Sequence, residues 1–196
     1  MRATHIRFMV VAVACGVFLA GGQGQAAPQT TGPSDPPVAV TMFADRIAEY
    51  VTTRARLEEP LPAFDERRDS WSLMLTRRYL ASAIRAARPS ARKGTIFSPL
   101  VADYVRDVIE RTLTPQDRLA LTGAGDEGGD VPLAVHEPVP EWAMQPVPNA
   151  LCRALPSLPA GIEYRVVAAD LILWDAHAEI VIDVFSGAFL PPGALD

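Results

Sequence analysis

Residues 158–185, LPAGIEYRVVAADLILWDAHAEIVIDVF, constrain this chain more than any other stretch, because period-2 alternation and β-branched runs coincide over three consecutive segments. Residues 163–168 place Tyr164, Val166 and Ala168 on one face and Arg165 and Val167 on the other. Leu171 and Leu173 oppose Ile172 and Trp174, so both faces of the second segment are apolar, which marks a central strand. Residues 179–185 send Ile180, Ile182 and Val184 one way and Val181, Asp183 and Phe185 the other, and Asp183 predicts a partly wet face. The links around Ala169 and Asp170 and through residues 175–178 are too short for a crossover helix, which forces antiparallel pairing. Three strands cannot bury two faces alone, so the rest of the chain must cover them.

The cover is helical. Val40, Phe43, Ala44, Ile47 and Val51 follow Asp35 and Pro36 at helical spacing and predict a first helix over residues 37–57, stopped by Pro60 and Pro62. Asp69 caps a second, in which Leu73, Leu80, Ile84 and Ala87 form a stripe widened by Met74, Tyr79 and Ala83 and ended by Pro89. Ser98 and Pro99 open a third, with Val101, Tyr104, Val105, Val108 and Ile109 on one face. Thr114, Pro115 and Asp117 start a short fourth piece that Gly123 closes. Beyond it, GAGDEGGD at residues 123–130 is acidic and glycine-rich, and residues 131–159 hold seven prolines. Trp142, Met144 and Val147 favour wrapping of this connector over the domain, with one helical turn at residues 151–155. The expected fold is α+β: three main helices packed on a three-stranded antiparallel meander, with the proline-rich connector laid across the join.

The first 26 residues read as a secretory leader: Arg2 and Arg7, an apolar run over residues 8–19, then small residues ending at Gly24, Gln25 and Ala26. The run is shorter than the ~20 residues a bilayer span needs, and no later stretch reaches that length. Residues 27–36 form a polar tether, residues 37–122 the helical part, 123–159 the connector, 160–186 the meander and 187–196 a tail that frays from Leu190 onward. Export removes Cys15 with the leader and leaves Cys152 without an intramolecular disulfide partner, so that it either pairs with another chain or is buried, and its apolar neighbours Leu151 and Leu155 point to burial.

Without the leader the charge is 16 minus 23, or −7. An acidic whole argues against nucleic acid as the target. The charge is nevertheless uneven: residues 70–102 carry six basic residues and no acid, whereas eleven acids against Arg153 and Arg165 follow from Leu119 onward. Such patches invite docking within the chain or a charged partner, an anionic envelope component or a protein, with Arg85 and Arg88 as test positions.

No P-loop, G-x-G-x-x-G, G-x-S-x-G or H-E-x-x-H occurs, and no catalytic or cofactor-binding residue is assigned. Asp175, His177 and Glu179 have the most suggestive spacing. In an extended chain they share a face, and an imidazole with two carboxylates suits Zn²⁺ given a fourth ligand. The plainer reading makes them solvated hairpin residues, because a tight turn would splay them. A hydrolase assembled only in three dimensions, in a groove under the connector, is the other alternative to a non-enzymatic binding or structural role.

Two stretches, AIRAARPSARKGTIFSP at residues 83–99 and LPSLPAGIEYRVVAADLILWDAHAEIVID at 155–183, resemble an uncharacterised group of exported bacterial proteins of the soil-bacterium type. That resemblance implies an envelope location. Residues 158–185 are also similar to the C-terminal meander of periplasmic nickel and cobalt homeostasis proteins, in which a proline-led segment enters three short strands. Those proteins usually turn between their last strands at a glycine, where this chain has Asp175 to Ala178, so their metal role is not carried over.

Overall fold

The computed structural model describes residues 37–62, 69–123 and 131–190. The leader, Cys15, the tether with Asp35, residues 63–68, 124–130 and 191–196 lie outside the described residues.

Local signals set the helix starts. Before α2 (Ser70–Ala87), the Asp69 carboxylate accepts the Ser72 backbone N–H at 2.9 Å. Before α4 (Pro115–Gly123), Thr114 and Asp117 bond reciprocally, Thr114 N–H to the Asp117 carboxylate at 3.0 Å and Asp117 N–H to the Thr114 hydroxyl at 3.2 Å. Pro99 opens α3 (Pro99–Thr112), where a missing N–H costs nothing. In contrast, α1 (Val38–Glu58) begins at Pro37 without a side-chain cap.

The sheet has four antiparallel strands in sequence order: β1 (Gln145–Pro146), β2 (Ile162–Val167), β3 (Asp170–Asp175) and β4 (Ile180–Phe185). The meander is therefore present with β3 inside it, and the expected three strands gain a two-residue fourth from the connector. A fifth helix, α5 (Asn149–Ala154), follows β1. Among the described residues no helix is long and apolar enough to cross a membrane.

Sheet and helices enclose the main core, in which Phe43, Ile47 and Tyr50 of α1, Leu80 and Ile84 of α2, Val105 and Ile109 of α3 and Leu151 of α5 meet Tyr164, Val166, Leu171 and Leu173. The opposite face buries Val167, Ile172, Trp174, Val181 and Val184 under Val139, with Leu133 and Met144 packed alongside. The early part of the connector thus covers the far face of the sheet, and its later part, with Val147, Leu151 and Leu155, packs into the main core between sheet and helices. Val139 is buried between exposed Pro138 and Pro140, as an extended proline-rich segment allows, whereas Trp142 stays 65% exposed.

Two further expectations are corrected. The buried stripe of α2 is narrower than its periodicity suggests: Leu80 and Ile84 are buried, but Tyr79 and Ala87 are exposed. Cys152 is exposed, because α5 turns Leu151 inward and the next residue outward. The start of the tail is anchored, with Ala188 and Phe189 buried and Phe189 N–H bonding the Ala169 carbonyl at 3.1 Å, and the stretch expected to fray lies, apart from Leu190, outside the described residues.

The alternation of β4 also breaks. Trp174 pairs with Val181 but Leu173 with Asp183, so Ile182 is an extra residue in a β-bulge. Ile182 and Asp183 both face the helices, after which Val184 joins the far face and Phe185 the main core. Asp183 is therefore completely buried, the reverse of a wet face. Its carboxylate accepts backbone N–H groups from the α2–α3 loop: Gly94 at 2.8 Å, Ile96 at 2.5 Å and Phe97 at 2.7 Å.

Candidate functional site

The turn between β3 and β4 carries the three residues whose spacing suits a metal, and the fold separates them. Asp175 is fully buried and points at α1: it accepts the Tyr50 hydroxyl, and Arg54 Nη1 approaches it at 3.4 Å. It also accepts the His177 and Ala178 N–H groups at 2.8 and 3.1 Å, which folds the turn tightly. His177 Nδ1 meets Glu58 Oε1 at 2.8 Å, and Glu179 bonds Arg77 of α2. Among the described residues no three His, Cys, Asp or Glu side chains converge as a metal site. Glu179 adopts φ +53°, a left-handed conformation that glycine takes more readily.

This cluster fastens the hairpin to α1. Arg54, itself buried, reaches the Ala160 carbonyl at 3.2 Å, the Gly161 carbonyl at 3.5 Å and Glu58 at 3.4 Å. The Tyr50 hydroxyl is held protonated, its pKa raised first by burial and then by the Asp175 charge. Gly161 has φ +80°, and an added Cβ there would lie 2.9 Å from His177 Nε2 and 3.1 Å from Arg54 Nη1. Gly161→Ala is accordingly expected to cost about 1–2 kcal/mol from the backbone conformation alone. Thermal unfolding of the two proteins side by side checks this; equal melting temperatures would refute it.

The arginines of α2 divide by helical phase. Arg77 and Arg88 are close to three full turns apart and share an inner flank. Arg77 pairs with Glu179, and the Arg88 guanidinium lies 4.9 Å from the Tyr50 ring centroid with Nη1 3.4 Å from His136 Nε2. Arg85, on the outer side, bonds the His136 carbonyl at 2.9 Å and Glu137 at 2.8 Å. Part of the uneven charge is thus spent on docking the connector and the hairpin turn within the chain. The exposed Arg85–Glu137 pair contributes little net stability.

His136 is 4% exposed with φ +68°, and its N–H bonds the Val181 carbonyl at 2.8 Å. Burial, then the charges of Arg88 and Arg85, push its imidazole down to about 4, so it is neutral at pH 7. A groove of about 500 Å³ lies under the connector, and it is lined by Glu141, Glu163, Arg165, Glu179 and Trp174 among others. Its lining includes no imidazole and no hydroxyl or thiol, the parts a triad would need.

The outward face of α2 is unusual for a surface helix. Trp71, Leu75 and Tyr79, spaced four apart, are 65%, 47% and 61% exposed. Exposed Arg78 and Arg85 flank them. The periodicity of the inner stripe hid this second one, and exposure was its only signal beyond the bare spacing. No family model, curated protein or solved structure matches the chain.

Proposed function

We propose that the protein is an exported, non-enzymatic component of a bacterial envelope and that it acts by binding an anionic bilayer surface through the outward face of α2. The observation that carries this reading is the stripe of Trp71, Leu75 and Tyr79 standing in solvent beside Arg78. Indole and phenol rings suit the boundary between headgroups and acyl chains, and guanidinium groups suit the phosphates above it. Charge placement adds to the argument: residues 70–102 hold six cations and no acid, although the chain as a whole is acidic. Export is supported by the n, h and c pattern of residues 1–26. Action by binding is supported by how the imidazoles are used: His177 meets Glu58 over Gly161, and His136 meets Arg88 beneath the connector.

Co-sedimentation of the mature chain with vesicles tests the proposal. Binding is expected to phosphatidylglycerol vesicles and not to phosphatidylcholine vesicles, and to weaken as salt screens the charges. Trp71→Ser combined with Arg78→Gln is expected to reduce it about tenfold or more. Equal binding to neutral vesicles, or none lost in the double variant, would end this reading.

A further inference from the structure

A separate cleft of about 410 Å³ opens between α1 and the chain that links α2 to α3. One side is α1, which contributes Arg46, Glu49, Tyr50 and Thr53 at the spacing of a single helix face. The other is formed by Arg88, Ser90 and Thr95 with their neighbours. Two guanidinium groups therefore converge on one concave space.

The direct hydrogen-bond and ring partners of these guanidiniums are neutral. Arg46 donates to the Thr95 carbonyl, and Arg88 lies over the Tyr50 ring and against the His136 imidazole. Among the described residues neither forms an ion pair with a carboxylate, in contrast to Arg54, Arg77, Arg85 and Arg165, which all do. Asp175 is taken up on the other side of Tyr50, where it binds the phenol and Arg54. The carboxylate in the cleft lining, Glu49, is exposed. Burial disfavours the charge on Arg88, the nearby Asp183 and Glu49 carboxylates offset part of that, and an anion in the cleft would add to the offset. Thr53 and Ser90 line the same space and carry hydroxyls that can serve as neutral donors for further oxygens, whereas the Thr95 hydroxyl already donates to the Arg92 carbonyl.

We propose that this cleft is an oxyanion site that takes a phosphoryl group, with Arg46 and Arg88 as the charged donors and the Thr53 and Ser90 hydroxyls beside them. Guanidinium groups bind phosphate oxygens through paired, charge-assisted hydrogen bonds, and the cleft volume leaves room for a small organic substituent on the phosphate. The site is distinct from the outward stripe of α2, which lies on the opposite side of that helix from Leu80 and Ile84.

Calorimetric titration of the mature chain with inorganic phosphate and with glycerol 3-phosphate tests it. Saturable binding is expected with both. Arg46→Gln is expected to weaken it about tenfold or more, since a charge-assisted pair of bonds is lost. Glu49→Gln is expected to tighten binding, because it removes the like charge facing the ligand, and this surface variant keeps the test informative should Arg46→Gln fail to fold. Trp71→Ser should leave phosphate binding unchanged, so that failure here and failure of the bilayer reading are told apart. Vesicle binding that also falls in Arg46→Gln would make a lipid headgroup the source of the phosphoryl group; vesicle binding that does not would make it a free phosphate ester. No heat with either phosphate, or equal heat in wild type, Arg46→Gln and Glu49→Gln, would overturn the proposal.

Discussion

Asp183→Ala is expected to lower stability by about 3–5 kcal/mol, and with it the melting temperature by about 10 °C or more. The size follows from what the carboxylate does. It is buried without any exposed surface, and it accepts the Gly94, Ile96 and Phe97 N–H groups as well as its own neighbour Val184 at 2.9 Å. Burial pushes this carboxyl above its usual range and those N–H bonds pull it back. Alanine would strand the loop donors in a dry core, each at a cost of about 1–3 kcal/mol. Asparagine would restore only one oxygen's pair of these bonds, because its amide nitrogen would turn a donor toward the other N–H groups. Circular dichroism melts of Asp183→Ala and Asp183→Asn check both statements; a loss of less than about 1 kcal/mol in either would contradict the account.

Mild acid should loosen the molecule through His136. The folded-state imidazole titrates at about 4 against an ordinary 6.5, so the unfolded chain binds the proton more readily between those values. Stability from this group is therefore complete above 6.5, declines as the pH falls toward 4, and is gone below it. The full difference corresponds to about 3 kcal/mol, and about 2 kcal/mol is expected once solvent screening at the edge of the connector is allowed for. Urea unfolding at a series of pH values measures the slope. A His136→Gln variant should lack most of it, and a variant that keeps the wild-type slope would assign the effect elsewhere.

The meander was legible because its signal is local. Leu171 to Trp174 declare a two-sided strand by composition, and the short links leave one pairing direction. Asp69 and Thr114 were legible as helix starts for the same reason, since each cap bonds within three residues. The bulge at Ile182 was not, because nothing in VIDVF marks the extra residue; it is set by the distant backbone donors of residues 94–97. Asp175 likewise shares a sequence pattern with His177 and Glu179 but answers to Tyr50 and Arg54, more than 100 positions upstream. Spacing told which side chains were near in the chain and nothing of what stood opposite. The Arg46 and Arg88 cleft depends wholly on such long-range placement, so periodicity showed only that the second helix was basic.

The connector does more than shield Ile172 and Trp174. Its early part bonds the outer side of β4, His136 N–H to Val181 and Val181 N–H to Glu137 at 2.8 and 3.0 Å, and its later part lies along β2 as Gln145 and Pro146. One segment therefore blunts both rims of the sheet, and prolines at 138, 140 and 146 offer no N–H for an incoming strand. Fibre growth by strand addition would have to peel this segment away first, so resistance to aggregation in this molecule rests on how firmly a chain of loops stays docked.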